Sequence, residues 1–255
     1  MAADFVLEAC VDSLDSALAA KEGGATRLEL CANLLIGGTT PMPSLVLRVK
    51  AATGLPTHAL LRPRFGDFLY TGEEFSLLLE DAAALLEAGA DAIVSGFLTP
   101  AGDLDRQRLA QEAFAQLVEL CHRAGKRFTL HRAFDMCRDP FAALELCKEL
   151  GVDTVLTSGQ KNTCLEGLPL LEELWPRRGG VELLLGAGIS AAAIRRIRES
   201  LPHARAFHMS GKITVESPMS YRKGDVSMGL PGFDEYTLWR TDPENLRAAR
   251  KELME

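Results

Sequence analysis

The residues able to do chemistry gather in a few short stretches. Glu8 and Cys10 stand in the first apolar segment, and Glu29 and Cys31 in the second. Further along come Arg62-Pro63-Arg64, Ser95-Gly96, His131-Arg132 with Asp135, and Thr157-Ser158-Gly159. Gly186-Ala187-Gly188, His208 with Ser210, and Gly211-Lys212 complete the set. Such residues suit three kinds of chemistry. Carboxylates beside histidine can act as general acid and base. Arginine takes carboxylate or phosphate through paired N–H donors. Thiols can hold soft metal ions.

Elements must bring these stretches together. A half-unit recurs: an amphipathic segment ends in Gly plus a small residue, and a short apolar strand follows. Gly23-Gly24-Ala25 leads into Leu28-Glu29-Leu30, Gly89-Ala90-Asp91 into Ala92-Ile93-Val94, and Gly151-Val152-Asp153 into Thr154-Val155-Leu156. The glycine supplies the left-handed position that ends a helix. Eight strands are expected, beginning near Phe5, Thr26, Thr57, Asp91, Arg127, Asp153, Val181 and Arg205. Strands alternating with helices imply right-handed crossovers and a parallel sheet. Eight units in 255 residues predict an α/β fold of one closed (β/α)8 TIM barrel. A doubly wound open sheet is the alternative, and no G-x-G-x-x-G after the first strand supports it. One domain over residues 1–255 is expected. A tail from about 228 to 255, with a helical pattern over Pro243 to Leu253, packs on the barrel or on a neighbour.

In such a barrel the chemistry sits where strands end, and a period of two sorts each strand into faces. Leu7, Ala9 and Val11 share one face, and Leu28 and Leu30 share another. Glu8, Cys10, Glu29 and Cys31 then point inward. Neighbouring strands lie about 4.8 Å apart, so Cys10 is expected beside Cys31 and Glu8 beside Glu29. Inward carboxylates need partners, for which Arg62, Arg132, His131 and His208 are the candidates. The two cysteines suit core packing and metal binding equally well.

As an enzyme, the chain would act on a small, phosphorylated or otherwise anionic metabolite. Arg62, Arg64 and Arg132 would clamp the anion. Glu8, Glu29, His131, Asp135 and His208 are the acid–base candidates for an isomerase, epimerase or lyase. A zinc or iron site from Glu8, Glu29, His131 and His208 is a further option. No lysine falls on an inward strand position, which disfavours a Schiff base. Loops after the seventh and eighth strands of barrels often bind phosphate. Ser158, Gly159, Gly186, Gly188, Ser210 and Gly211 are the candidates, with Ser190 a helix N-cap. A scaffold role is disfavoured by so many polar strand ends.

Lys plus Arg is 28 and Asp plus Glu is 35, a net charge of −7. That disfavours nucleic acid, which needs clustered positive charge. No apolar run approaches the roughly 18 residues of a membrane helix. The start Met1-Ala2-Ala3-Asp4 lacks a secretory pattern, so a cytoplasmic protein with six reduced cysteines is expected. No C-x-x-C pair is present. Dimers and tetramers are common among barrels, which makes a homo-oligomer a candidate.

The strand-end motifs resemble the CutC family, named for copper homeostasis. They include Glu8-Ala9-Cys10-Val11-Asp12-Ser13, Arg27-Leu28-Glu29-Leu30-Cys31, Gly37-Gly38-Thr39-Thr40-Pro41 and Arg62-Pro63-Arg64 with Gly66-Asp67-Phe68. His131-Arg132-Ala133-Phe134-Asp135-Met136, Leu156-Thr157-Ser158-Gly159-Gln160, Gly186-Ala187-Gly188-Ile189 and His208 with Ser210 continue the match. The resemblance implies a TIM barrel, a cytoplasmic role in copper handling, and copper(I) held by Cys10 and Cys31. Met42, Phe65 and Met209 depart from the family's pattern. Met209 faces outward by parity, which disfavours it as a ligand.

Overall fold

The structure is a computed structural model describing residues 4–110, 117–226, 228–229, 232 and 234–255. Eight parallel strands close on themselves in chain order, with β1 bonded to both β2 and β8. They are β1 (Val6–Val11), β2 (Arg27–Leu30), β3 (Thr57–Leu60), β4 (Ala92–Ser95), β5 (Arg127–Leu130), β6 (Thr154–Thr157), β7 (Glu182–Gly186) and β8 (Ala206–Met209). Each begins at the expected residue or one later. Closure excludes the open doubly wound sheet. Helices fill the connections: α1 (Leu14–Glu22), α2 (Pro43–Thr53), α3 (Gly72–Glu87), α4 (Arg106–Ala110), α5 (Leu117–Arg123), α6 (Pro140–Leu150), α7 (Leu168–Leu174) and α8 (Ala191–Ser200).

Local signals explain where the helices start and stop. Ser13, Asp139 and Ser190 cap α1, α6 and α8 by accepting from first-turn amides. Gly151 ends α6 at φ 72°, a left-handed position that a side chain would strain. Thr71 and Glu74 form a reciprocal capping box at α3. Thr71→Ala should lower stability by about 1 kcal/mol, read as a shift in the urea midpoint. An unmoved midpoint would show that the box contributes nothing.

The faces divide as a period of two requires. Leu7, Ala9, Val11, Leu28 and Leu30 are fully buried in the layer between strands and helices. Met209 joins that layer, facing outward. The barrel interior is split. Leu156, Leu184 and Ala206 form an apolar patch on one side. Cys10, Cys31, Leu60 and Val94 form another on the far side. Charged residues from β1, β2, β3 and β8 lie between them.

After β8 the chain forms a two-stranded antiparallel ribbon, β9 (Lys212–Glu216) with β10 (Thr237–Thr241). It then ends in α9 (Pro243–Met254), which packs on α8, α1 and β1. Leu246, Ala249 and Leu253 are its buried stripe, and Glu252 pairs with Arg195 of α8. This helix closes the ring between α8 and α1. Among the described residues no helix is long and apolar enough to cross a membrane.

Candidate functional site

Cys10 and Glu29 point inward near the ends of β1 and β2, Cys31 follows β2 directly, and His208 lies on β8. The Cys10 thiol donates to Glu29 Oε2 at 3.0 Å, and the Cys10 and Cys31 sulfurs are 3.9 Å apart. Ligand atoms of Cys10, Glu29 and His208 all lie within 4.8 Å of one another. The expected adjacency needs one correction. The barrel stagger sets Cys10 opposite Glu29 and Glu8 opposite Arg27, not Cys against Cys and Glu against Glu. The two thiols still meet, because Cys31 sits one step further along the same inward face.

Glu8 lies one layer deeper and is almost fully buried. Arg27 Nε donates to Glu8 Oε2 at 2.5 Å, and His208 Nδ1 lies 2.7 Å from Glu8 Oε1. His58 is 3.6 Å away, and Arg27 also reaches Glu182 at 3.4 Å. Burial pushes the Glu8 carboxyl up, but Arg27, His208 and His58 outweigh it and hold it well below the carboxylate range. Of the four expected partners of the inward carboxylates, only His208 reaches them. Arg62, Arg132 and His131 gather elsewhere at the mouth. Arg27 and His58 were missed because they sit at strand starts. Inward parity with Glu29 and Cys31 would have found Arg27.

The upper layer is poised differently. Burial raises the Glu29 carboxyl. The bond to Cys31, then burial, raises the Cys10 thiol well above its usual value. For Cys31 the bond to Cys10 lowers the thiol, but burial together with the charges of Glu29 and Asp12 outweighs it and leaves it raised. Burial would lower His208, but Glu29, Cys10 and Glu8 raise it well above an ordinary imidazole. All six cysteines are free and buried.

A second group faces this cluster across a cavity of about 150 Å³ lined by Cys10, Glu29, Arg62, Phe68, His131 and His208. Arg132 stands at its rim, with Nε 2.7 Å from Asp135 Oδ2. Asp135 accepts from the Thr157 and Ser158 hydroxyls and from the Ser158 and Gln160 amides. The chain's own carboxylate therefore fills that nest of donors. Arg64 is turned outward to Glu74 and Asp67. Gly159 lies tight against Gly167, and Gly188 against Thr163. Gly211 abuts Leu246, and Ser210 lies close by in sequence, outside the cavity lining. A Cβ on Gly186 would come 2.5 Å from Leu156 Cδ1 and 3.4 Å from His208 Cβ, so this glycine lets β7 approach the site.

A larger hollow of about 650 Å³ opens at the opposite end, near Lys50, Asp91, Lys126 and Arg127. Its lysines are engaged by Asp91. The mouth cavity, at the C-terminal strand ends where barrels do chemistry, is the stronger candidate.

Fold and side chains together define a class: a (β/α)8 barrel with a thiol–carboxylate–imidazole cluster at the C-terminal ends of its strands. The chain belongs to the CutC family, whose model matches residues 5–213. It is 41% identical over 245 residues to the copper homeostasis protein cutC homolog of Mus musculus, covering 95% of this chain and 87% of that one. It is 39% identical over 252 residues to the family protein CutC of Chromobacterium violaceum, covering 98% of each. A solved structure of a CutC protein from Streptococcus agalactiae superposes with a TM-score of 0.73 at 25% identity, covering 81% of this chain and 98% of that one.

Proposed function

We propose that this chain serves copper handling in the cytoplasm by holding copper(I) between the thiolates of Cys10 and Cys31. The observation that carries this reading is the 3.9 Å separation of two buried, unbridged sulfurs. Metal–thiolate bonds are about 2.3 Å long, so one ion can bond both. Soft thiolates favour copper(I) over harder cations. Glu29, which accepts from the Cys10 thiol at 3.0 Å, stands to receive its proton. The relatives named for copper homeostasis support the same reading.

Titration of copper(I) under anaerobic conditions against a colorimetric chelator tests it. Wild-type protein should bind one ion per chain, and Cys10→Ser with Cys31→Ser should abolish binding. Unchanged stoichiometry in the double variant would sink the site.

A second reading is an isomerase, epimerase or lyase on a small anionic metabolite. The cavity between the thiol cluster and Arg62 favours it. Glu29 and His208 would then move protons. The loops of Ser158, Gly159, Gly186, Gly188, Ser210 and Gly211 would take a phosphate, with Asp135 releasing the amides of Ser158 and Gln160.

A further inference from the structure

Arg62 follows β3 and is only 8% exposed. Its Nη1 donates to the carbonyls of Gly37 and Gly38 at 3.2 and 3.0 Å, and its Nη2 to that of Gly66 at 2.9 Å. Nε has no hydrogen-bond partner among the described residues. The Tyr70 hydroxyl lies near the guanidinium without meeting hydrogen-bond geometry. Among the described residues no carboxylate pairs with Arg62. A buried guanidinium that meets carbonyl dipoles and an aromatic ring but no carboxylate lacks a counter-charge, an expensive arrangement unless an anion completes it.

His131 supplies a second orphan beside it. Its Nδ1 accepts from the Ala133 amide at 3.2 Å, so the ring proton sits on Nε2. Nε2 is buried and has no partner among the described residues. Burial and Arg62 push the imidazole down to about 3, so it is a neutral donor at physiological pH. Phe68 fixes both groups, its ring 4.7 Å from the imidazole and 5.3 Å from the guanidinium carbon. All three line the mouth cavity.

We propose that the mouth cavity binds a small organic carboxylate, with the Arg62 guanidinium as its counter-charge and the neutral His131 imidazole beside it. One buried cation matches one negative charge, which favours a carboxylate over the more highly charged phosphate. The cavity of about 150 Å³ is well below the 300–1,000 Å³ of drug-sized sites, so the ligand has only a few carbons. Its far end meets Cys10, Glu29 and His208 on the opposite wall. Arg64 and Arg132, engaged by Glu74 and Asp135, are not needed.

The test uses metal-free, full-length, ¹⁵N-labelled protein titrated with pyruvate and, separately, with inorganic phosphate. Pyruvate should shift the Arg62 Nε–H and His131 Nε2–H resonances saturably at millimolar concentration or below. Arg62 also ties down two loops, so the variant of choice is His131→Phe, which keeps a ring and removes the donor. It should weaken pyruvate binding tenfold or more by calorimetry while retaining copper(I) binding. Unmoved resonances, movement with phosphate alone, or undiminished affinity in His131→Phe would each overturn the proposal. A protein that binds pyruvate and not copper(I) keeps this inference and loses the copper one, so the two fail separately.

Discussion

Arg27→Met should destabilise the protein by about 3–5 kcal/mol, the cost of leaving a buried carboxylate without its main counter-ion. Arg27 is 7% exposed and Glu8 is 1% exposed, so water cannot take over the lost contact. The pair is close, at 2.5 Å, and Glu182 holds the guanidinium from a second side. Among the described residues, His208 and His58 would be left to face Glu8. Adding Glu8→Gln to Arg27→Met should restore much of the loss, because the stranded charge is then gone. Urea unfolding of wild type, single and double variants reads this directly. A cost of only about 0–1 kcal/mol for Arg27→Met, as at an exposed pair, would show that the network is slack.

Acidification from about pH 7 to about pH 5 should remove on the order of 2 kcal/mol for each of His58 and His131. Burial, then Arg27, pushes His58 down to about 4, and burial with Arg62 pushes His131 down to about 3. Unfolded imidazoles take protons below about 6.5. The folded ones refuse until those lower values. The unfolded state therefore binds more protons throughout this window, and stability falls as pH falls. His208 works in the opposite sense. Its raised value gives stability that is complete below about 6.5 and is lost as pH rises toward its folded value. Between about pH 7 and 6 it offsets part of the loss, and below that it adds no slope. In His131→Phe the loss between the two pH values should be at most about half that of wild type. Equal losses in both proteins would refute the assignment to His131.

The beginnings of β2 to β6 were readable because each is marked locally by a glycine-ended helix and a short apolar run. The inward placement of Glu8, Cys10, Glu29 and Cys31 was readable from alternation alone. Their neighbours were not. The stagger that puts Cys10 opposite Glu29 is a property of the closed ring, and no local pattern encodes it. Arg62 looked like a partner for the glutamates, yet its loop folds so that three glycine carbonyls take its terminal nitrogens. Asp135 likewise turns back onto the amides after β6. Arg27 and His58 lie at strand starts, where no general rule of barrels places chemistry, although alternation marks Arg27 as inward.

The pairing of β1 with β8 also fixes an order of events in synthesis. Glu8 and Arg27 are 19 residues apart, whereas Glu8 and His208 are 200 apart. At about 5–20 residues per second, roughly 10–40 s pass between the making of one end of that contact and the other. Both thiols leave the ribosome early, and the imidazole that joins them leaves late. During that interval the nascent chain carries an open dithiol, still waiting for its last wall.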